Sequence, residues 1–347
     1  MFANNLLKIQ KMRFYYALDV VIKATKNVMV AAGKVLPLYN GTLERDTANT
    51  AAVTVSNAEI QGDNVTIAGA EVNVSEDAAL TAVHELGVAA KESITLENGK
   101  AVSGVTYSSS FGNLTVNNAT LSGKTVKLLG AGMTVNAAIG TAETEAVSLR
   151  SDARTLKVNG GTISGQDITL TGTTVDVATG AAITAVGENG VVRLLAGSGV
   201  TNGVVTATSG NKATVKGTLS GGDIVVAGGA VAVDGGTVNA GAKSAYLLAG
   251  NSIKTTAATG SADADGVITS ADGNAVTIKN GAAVSADKVH IAGYSADLSS
   301  ATNISRITAA TEINAVTGST INNSAGTLVR EANAARGRFS RDTASVV

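Results

Sequence analysis

One motif returns along this chain, and the backbone it demands narrows the choice of fold. The segment VTVSNAEIQGDNVTIAG at residues 53–69 recurs as LTVNNATLSGKTVKLLG (114–130), LKVNGGTISGQDITLTG (156–172), ATVKGTLSGGDIVVAG (213–228) and VTIKNGAAVSADKVHIAG (276–293). Each version reads apolar-x-apolar, a short polar or small stretch, one apolar residue, then a second apolar-x-apolar that ends at glycine. The alternation in Val65/Ile67, Val126/Leu128 and Ile168/Leu170 is the period of a strand with one buried face. Gly, Asn, Asp and Ser fall between these short strands, where the chain must bend.

The starts lie 61, 42, 57 and 63 residues apart. These spacings are close to three, two, three and three multiples of a unit of about 20 residues, the size of one solenoid coil. Such a unit, rich in Val, Ile and Thr and holding two or three short strands, fits one turn of a parallel β-helix. A coil cannot bury its apolar side alone, so successive coils stack around a continuous column of Val, Ile, Leu and Ala. At about 4.8 Å per coil, roughly 13 coils between residues 53 and 316 would make a rod of around 60 Å. Helical repeats need 3.6-residue spacing over longer units, and a propeller needs longer strands and an aromatic signature. The parallel crossover rule makes the coil right-handed. Asn57, Asn118 and Asn159 hold similar places in their units, where Asn ladders satisfy turn backbone.

Composition removes other classes. The chain has 347 residues, no Cys, no Trp, one Pro, 40 Gly and a net charge of -1. Disulfides and thiolate chemistry are therefore absent. The near-neutral balance and 3% aromatic content offer neither the field nor the stacking platforms of a nucleic-acid binder, so no nucleic-acid partner is expected. No apolar run approaches the length that spans a bilayer, so no membrane span is expected. The domain reading is a capping segment at 1–50, a parallel β-helix at 51–325 and a tail at 326–347. Lys8, Lys11 and Arg13 precede a short apolar stretch that Asp19 interrupts, which is too short for a cleavable signal. Residues 327–335 read as one or two helical turns, followed by a basic tail that includes Arg336, Arg338 and Arg341.

The segments LKVNGGTISGQDITLTGTTVDVATG and VTVSNAEIQGDNVTIAGAEVNVS resemble the repeat region of filamentous haemagglutinin-type adhesins, the exoproteins of bacterial two-partner secretion. The likeness covers about residues 50–320. It implies a secreted right-handed β-helix acting in attachment or aggregation, located outside the cell or on the bacterial surface. Its implied partners are host-cell, matrix or glycan surfaces, or other adhesin molecules. The family's secretion domain carries Asn-Pro motifs, whereas the single Pro37 here follows Leu36.

Candidate chemistry is sparse, and no catalytic residue, cofactor or metal site is assigned. Ser122-Gly123-Lys124-Thr125 matches the end of a phosphate-binding loop, but the required upstream glycine is Asn118. Asp263, Asp265 and Asp272 cluster in a Gly-containing stretch without either calcium-loop pattern. His84 and His290 are the only histidines, too few for a metal site, and His290 alternates with apolar residues and points outward. A β-helix polysaccharide lyase or glycosidase would cluster carboxylates, for instance around Asp167, beside aromatics such as Tyr107, Phe111, Tyr246 and Tyr294. The expectation is instead a non-enzymatic structural or adhesive rod that displays loops, the longest at 71–91, 137–154 and 252–273. The alternatives are a phage or virion fibre or spike, which would be trimeric, and the carbohydrate-active enzyme.

Overall fold

The computed structural model describes residues 6–10, 20–31, 42–44, 52–90, 93–97, 100–102, 112–197, 199–201, 204–206, 211–249, 252–254, 275–297, 306–322, 327–330 and 338–341. Every regular element among them is a β-strand, and the main ladders are parallel. The fold is a parallel β-helix in which each coil has three faces. Contacts between Cα atoms divide the chain into two compact units, Met1–Leu156 with Gly161–Gly165, and Lys157–Gly160 with Gln166–Val347.

In the first unit, each face is a ladder of equivalent residues from successive coils. Val53, Val72, Leu114 and Met133 stand in register on the first face. Ile22, Ile60, Leu80, Leu121 and Ile139 do so on the second. Val28, Val65, Leu86, Val126 and Val147 do so on the third. All are buried. Alternate residues point out, as the burial pattern of Thr125–Gly130 shows, because successive side chains of a strand leave opposite faces.

The second unit repeats the scheme. Val175, Ala213, Val231 and Val276 form the first column. Ile183, Leu219, Val238, Val284 and Ile307 form the second. Ile168, Val192, Ile224, Ala245 and Val289 form the third. Each column is apolar and buried, so burial of about 1.5–3 kcal/mol per large side chain accrues coil by coil.

The coil count differs from the sequence expectation. Val53 reaches Leu114 through Val72 alone, and Ala213 reaches Val276 through Val231 alone. Spacings of about 60 residues are thus two coils plus an excursion, not three coils. Between residues 53 and 316, the described third face is visited at 64–69, 85–90, 125–130 and 146–151 in the first unit. In the second it is visited at 167–172, 191–196, 223–228, 244–249, 288–293 and 312–317. That is ten coils rather than about thirteen.

Parallel pairing also runs on either side of residues 51–325. Leu6–Gln10 and Asn27–Ala31 pair in register, and Asn27–Ala31 pairs in turn with residues 64–68. Thr327–Arg330 is a strand paired with residues 306–309, not the helical turn expected there. Its Thr-Leu-Val run has a strand former's preference, and the ladder beneath supplies the hydrogen bonds. Arg338–Arg341 likewise pairs with residues 314–317.

Asparagine works at the corner between the first and second faces. Asn57 and Asn118 adopt positive φ of 46° and 48°, a conformation that Asn tolerates better than most residues. Asn159 does not, and Gly161 takes that role at φ 82°. The asparagine ladders form at other positions. Asn136 Nδ2 donates to Asn117 Oδ1 at 2.9 Å, and Asn64 Nδ2 donates to Asn27 Oδ1 at 2.8 Å.

Candidate functional site: the insertion-bearing corner

The coil's third corner, between the third face and the next first face, comes in two forms. In the tight form one residue makes the turn. Gly130 is followed by Ala131, whose N–H donates to the Gly112 carbonyl at 2.7 Å, and Gly132 already begins the next strand. A Cβ on Gly130 would meet the Gly132 carbonyl oxygen at 2.7 Å, so this corner admits only glycine without a backbone shift. Ala70 and Gly229 occupy the same place after Ala58–Gly69 and Asp223–Gly228.

In the open form a longer segment separates the two coil strands, and its described strands pair outside the parallel ladders. This form occurs in the first unit between Asn27–Ala31 and Ala52–Ser56, and again between Ala79–Ala90 and Asn113–Ser122. In the second unit it occurs between Val191–Ala196 and Lys212–Val215, and between Ser244–Ala249 and Ala275–Lys279. Tight corners recur at every second turn, and the corners between them are open except at 152–154, where three residues make the turn. Consequently Val53, Leu114, Ala213 and Val276, four of the five repeat starts seen in the sequence, are the first inward-facing residues of the strands that follow an open corner. The true period is two coils, and the varying insertion length makes the spacing irregular.

The insertions of alternate coils meet. In the first unit Thr42–Glu44 pairs antiparallel with Ser93–Glu97, and Ser93–Glu97 pairs with Lys100–Val102. The last of these lies against Ala79–Ala90. In the second unit Gly199–Thr201 pairs with Val204–Thr206, which pairs with Ser252–Lys254. Each unit therefore carries a three-stranded antiparallel side sheet built from two insertions that flank a tight corner.

Beside these insertions, several outward positions of the third face are buried as well. Met29, Thr66, Ala68 and Ala89 are buried there in the first unit. In the second unit Leu195, Val225, Ala227, Tyr246 and Leu248 make a buried cluster. Tyr246 stacks on His290 of the next coil with ring centroids 4.8 Å apart and planes 9° from parallel. Where no insertion flanks the strand, the same positions carry Lys127, Arg150 and Thr169, which are not buried. The signal was present in the sequence: VVRLLA, SAYLLA and LGVAA are apolar at nearly every position, the mark of a strand covered on both sides.

Two of the three expected loops are ordinary coil. Residues 71–91 contain the strands Glu71–Ser75 and Ala79–Ala90, and residues 137–154 contain Ala146–Ser151. His-Glu at 84–85 lies at the corner between the second and third faces, and the TAETE stretch is the turn that leads into Ala146–Ser151. Residues 252–273 do include an open corner, of which the strand Ser252–Lys254 is described. The segments at 91–112 and 198–211 had no such signal, since their Ser, Thr and Gly match the coil's own composition, whereas residues 32–51 fell almost wholly within the segment read as a cap.

The remaining candidates have structural settings. Ser122-Gly123-Lys124-Thr125 is a corner between the second and third faces. There Lys124 pairs with Glu145 at 3.0 Å, and Thr144 Oγ1 donates to the Gly123 carbonyl at 2.8 Å. His84 Nε2 lies 3.2 Å from Asp63 Oδ1 on an exposed edge. Asp167 forms an ion pair with Arg193 of the next coil. Among the described residues no three potential metal ligands converge, and no helix is long and apolar enough to cross a membrane. Asp263, Asp265, Asp272, Tyr107, Phe111 and Arg336 lie outside the described residues, as does the side chain of Tyr294.

No protein-family model matches the chain, and neither a curated protein nor a solved structure matches it.

Proposed function

We propose that this protein is a non-enzymatic structural or adhesive scaffold, a segment of a bacterial surface or secreted filamentous adhesin that acts in attachment or aggregation. The observation that carries the reading is the alternation of tight and open corners. At four of the five corners that alternate with tight ones a long segment separates the coil strands, and in each unit strands from two such segments pair with each other. Segments inserted on a rigid scaffold vary without disturbing the core, and binding is commonly placed on such segments. The partners in this reading are host-cell, matrix or glycan surfaces, or further adhesin molecules.

The test is adhesion by the full chain to cultured cells, immobilised matrix protein and a glycan array. It is compared with a variant in which residues 91–112 are replaced by a one-residue tight corner. Adhesion that drops to background in the variant supports the reading. A parent chain that adheres no better than an inert protein refutes it.

A further inference from the structure

We infer that the two insertions of each unit are one coupled element, in which neither insertion holds its conformation without the other. The inference deepens the display reading, since it makes the paired insertions rather than a single loop the element that a partner meets.

The argument starts from spacing. Neighbouring coils are about 4.8 Å apart, so insertions from alternate coils begin about 9.6 Å apart, twice the reach of one strand pairing. Three paired strands span that interval, and three strands is what each unit has. In the first unit the later insertion supplies the hairpin of Ser93–Glu97 with Lys100–Val102, and the earlier one supplies the single strand Thr42–Glu44. In the second unit the earlier insertion supplies the hairpin of Gly199–Thr201 with Val204–Thr206, and the later one supplies Ser252–Lys254. Opposite partitions of the strands give the same count, as expected if bridging is what the insertions are built for.

Energetics make the bridge a condition rather than an ornament. A two-stranded hairpin is marginal in water, and a third strand is needed before such a sheet persists. A lone strand of three residues has no pairing at all. Removing either insertion therefore leaves its partner below the threshold for order. A ligand that engages one insertion is then linked to the other through the shared sheet, with reciprocal effects on affinity.

Hydrogen exchange on the full chain tests this without any ligand, so its outcome is separate from that of the adhesion assay. In one variant, residues 33–50 become a Gly/Ser linker of equal length. Ser93–Glu97 then exchanges at least tenfold faster, although it lies outside the change, while the coil strand Thr125–Gly130 keeps its protection. Val204–Thr206 and Ser252–Lys254 of the second unit keep theirs as well. A milder variant, Leu43→Pro, removes the pairing opposite Ile94 with one substitution and gives the same local loss should the linker variant fold poorly. Retention of parental protection in Ser93–Glu97 by a variant whose coil strands remain protected overturns the coupling.

Discussion

Two glycines separate the strain of a left-handed corner from the crowding of a stacked one. Gly161 and Gly180 have nearly the same backbone, φ 82° and 87°, so alanine meets the same conformational penalty at each, about 1–2 kcal/mol. Their surroundings differ. A Cβ on Gly180 would have nothing within 4 Å, whereas one on Gly161 would overlap the Ala137 carbonyl oxygen and lie 2.6 Å from the Ala137 nitrogen. Backbone atoms cannot swing aside, so the corner must shift at an added cost of about 1–3 kcal/mol. Reduced freedom of the unfolded chain offsets roughly 0.4–1 kcal/mol in both variants. Gly180→Ala should therefore lose about 1 kcal/mol, and Gly161→Ala about 2–4 kcal/mol. Urea denaturation followed by far-ultraviolet circular dichroism reads both. Equal midpoints would refute the claim that the Gly161 corner is closed by backbone packing.

Leu121→Ala, in the column between Leu80 and Ile139, should cost about 2–5 kcal/mol in the same assay, because its neighbours are held by their own coils and cannot collapse into the cavity. Asp167→Asn should cost less than about 1 kcal/mol, and the difference should vanish in high salt, since the pair with Arg193 is open to water on the Asp167 side, which is 51% exposed.

What the sequence made legible was whatever repeats within one coil. Alternation at Val65/Ile67 and Val126/Leu128 specifies which side chains face inward, and register then follows, because a one-residue slip would turn every apolar residue outward. The fold class and the core columns were therefore readable. The coil count was not, because insertions happened to lengthen two-coil spacings toward multiples of the single-coil length. The insertion corners were also concealed. Their strands at 42–44, 93–102 and 199–206 are short and hydroxyl-rich like the coils, and pairing between insertions far apart in sequence leaves no local trace. A trace did exist on the scaffold. Tyr246 and Leu248 interrupt the expected alternation in SAYLLA, and only a covering layer makes two apolar faces of one strand stable. Asn159 shows the converse: its place in the motif matched Asn57, yet Gly161 two residues on meets the left-handed requirement at lower cost.

The two-coil period makes one more site visible. Leu156 begins a repeat like Val53 and Leu114, so the corner before it, residues 152–154, belongs to the open class although it carries no excursion. It is closed by polar contacts instead. Asp152 and Ala153 N–H groups donate to the carbonyls of Gly130 and Ala131 at 3.0 and 3.1 Å, and Ser151 Oγ donates to Ala131 and Arg154 carbonyls at 2.9 Å. Arg154 Nη1 reaches Asn113 Oδ1 at 3.1 Å. A twelve-residue Gly/Ser segment placed between Asp152 and Ala153 lengthens the loop by between two and three doublings, about 1.4 kcal/mol of closure entropy. The bonds of Ala153 and Arg154 add about 1 kcal/mol each, for a total near 3 kcal/mol. The same segment between Ala131 and Gly132 enters a tight corner, where it separates the Ala131 bond to Gly112 from a strand whose first five residues pair in register with Asn113–Asn117. That variant should lose the cooperative transition, whereas the first keeps it with a lowered urea midpoint. Equal tolerance at both corners would mean that the alternation is an accident of where insertions landed, and not a property of the coil.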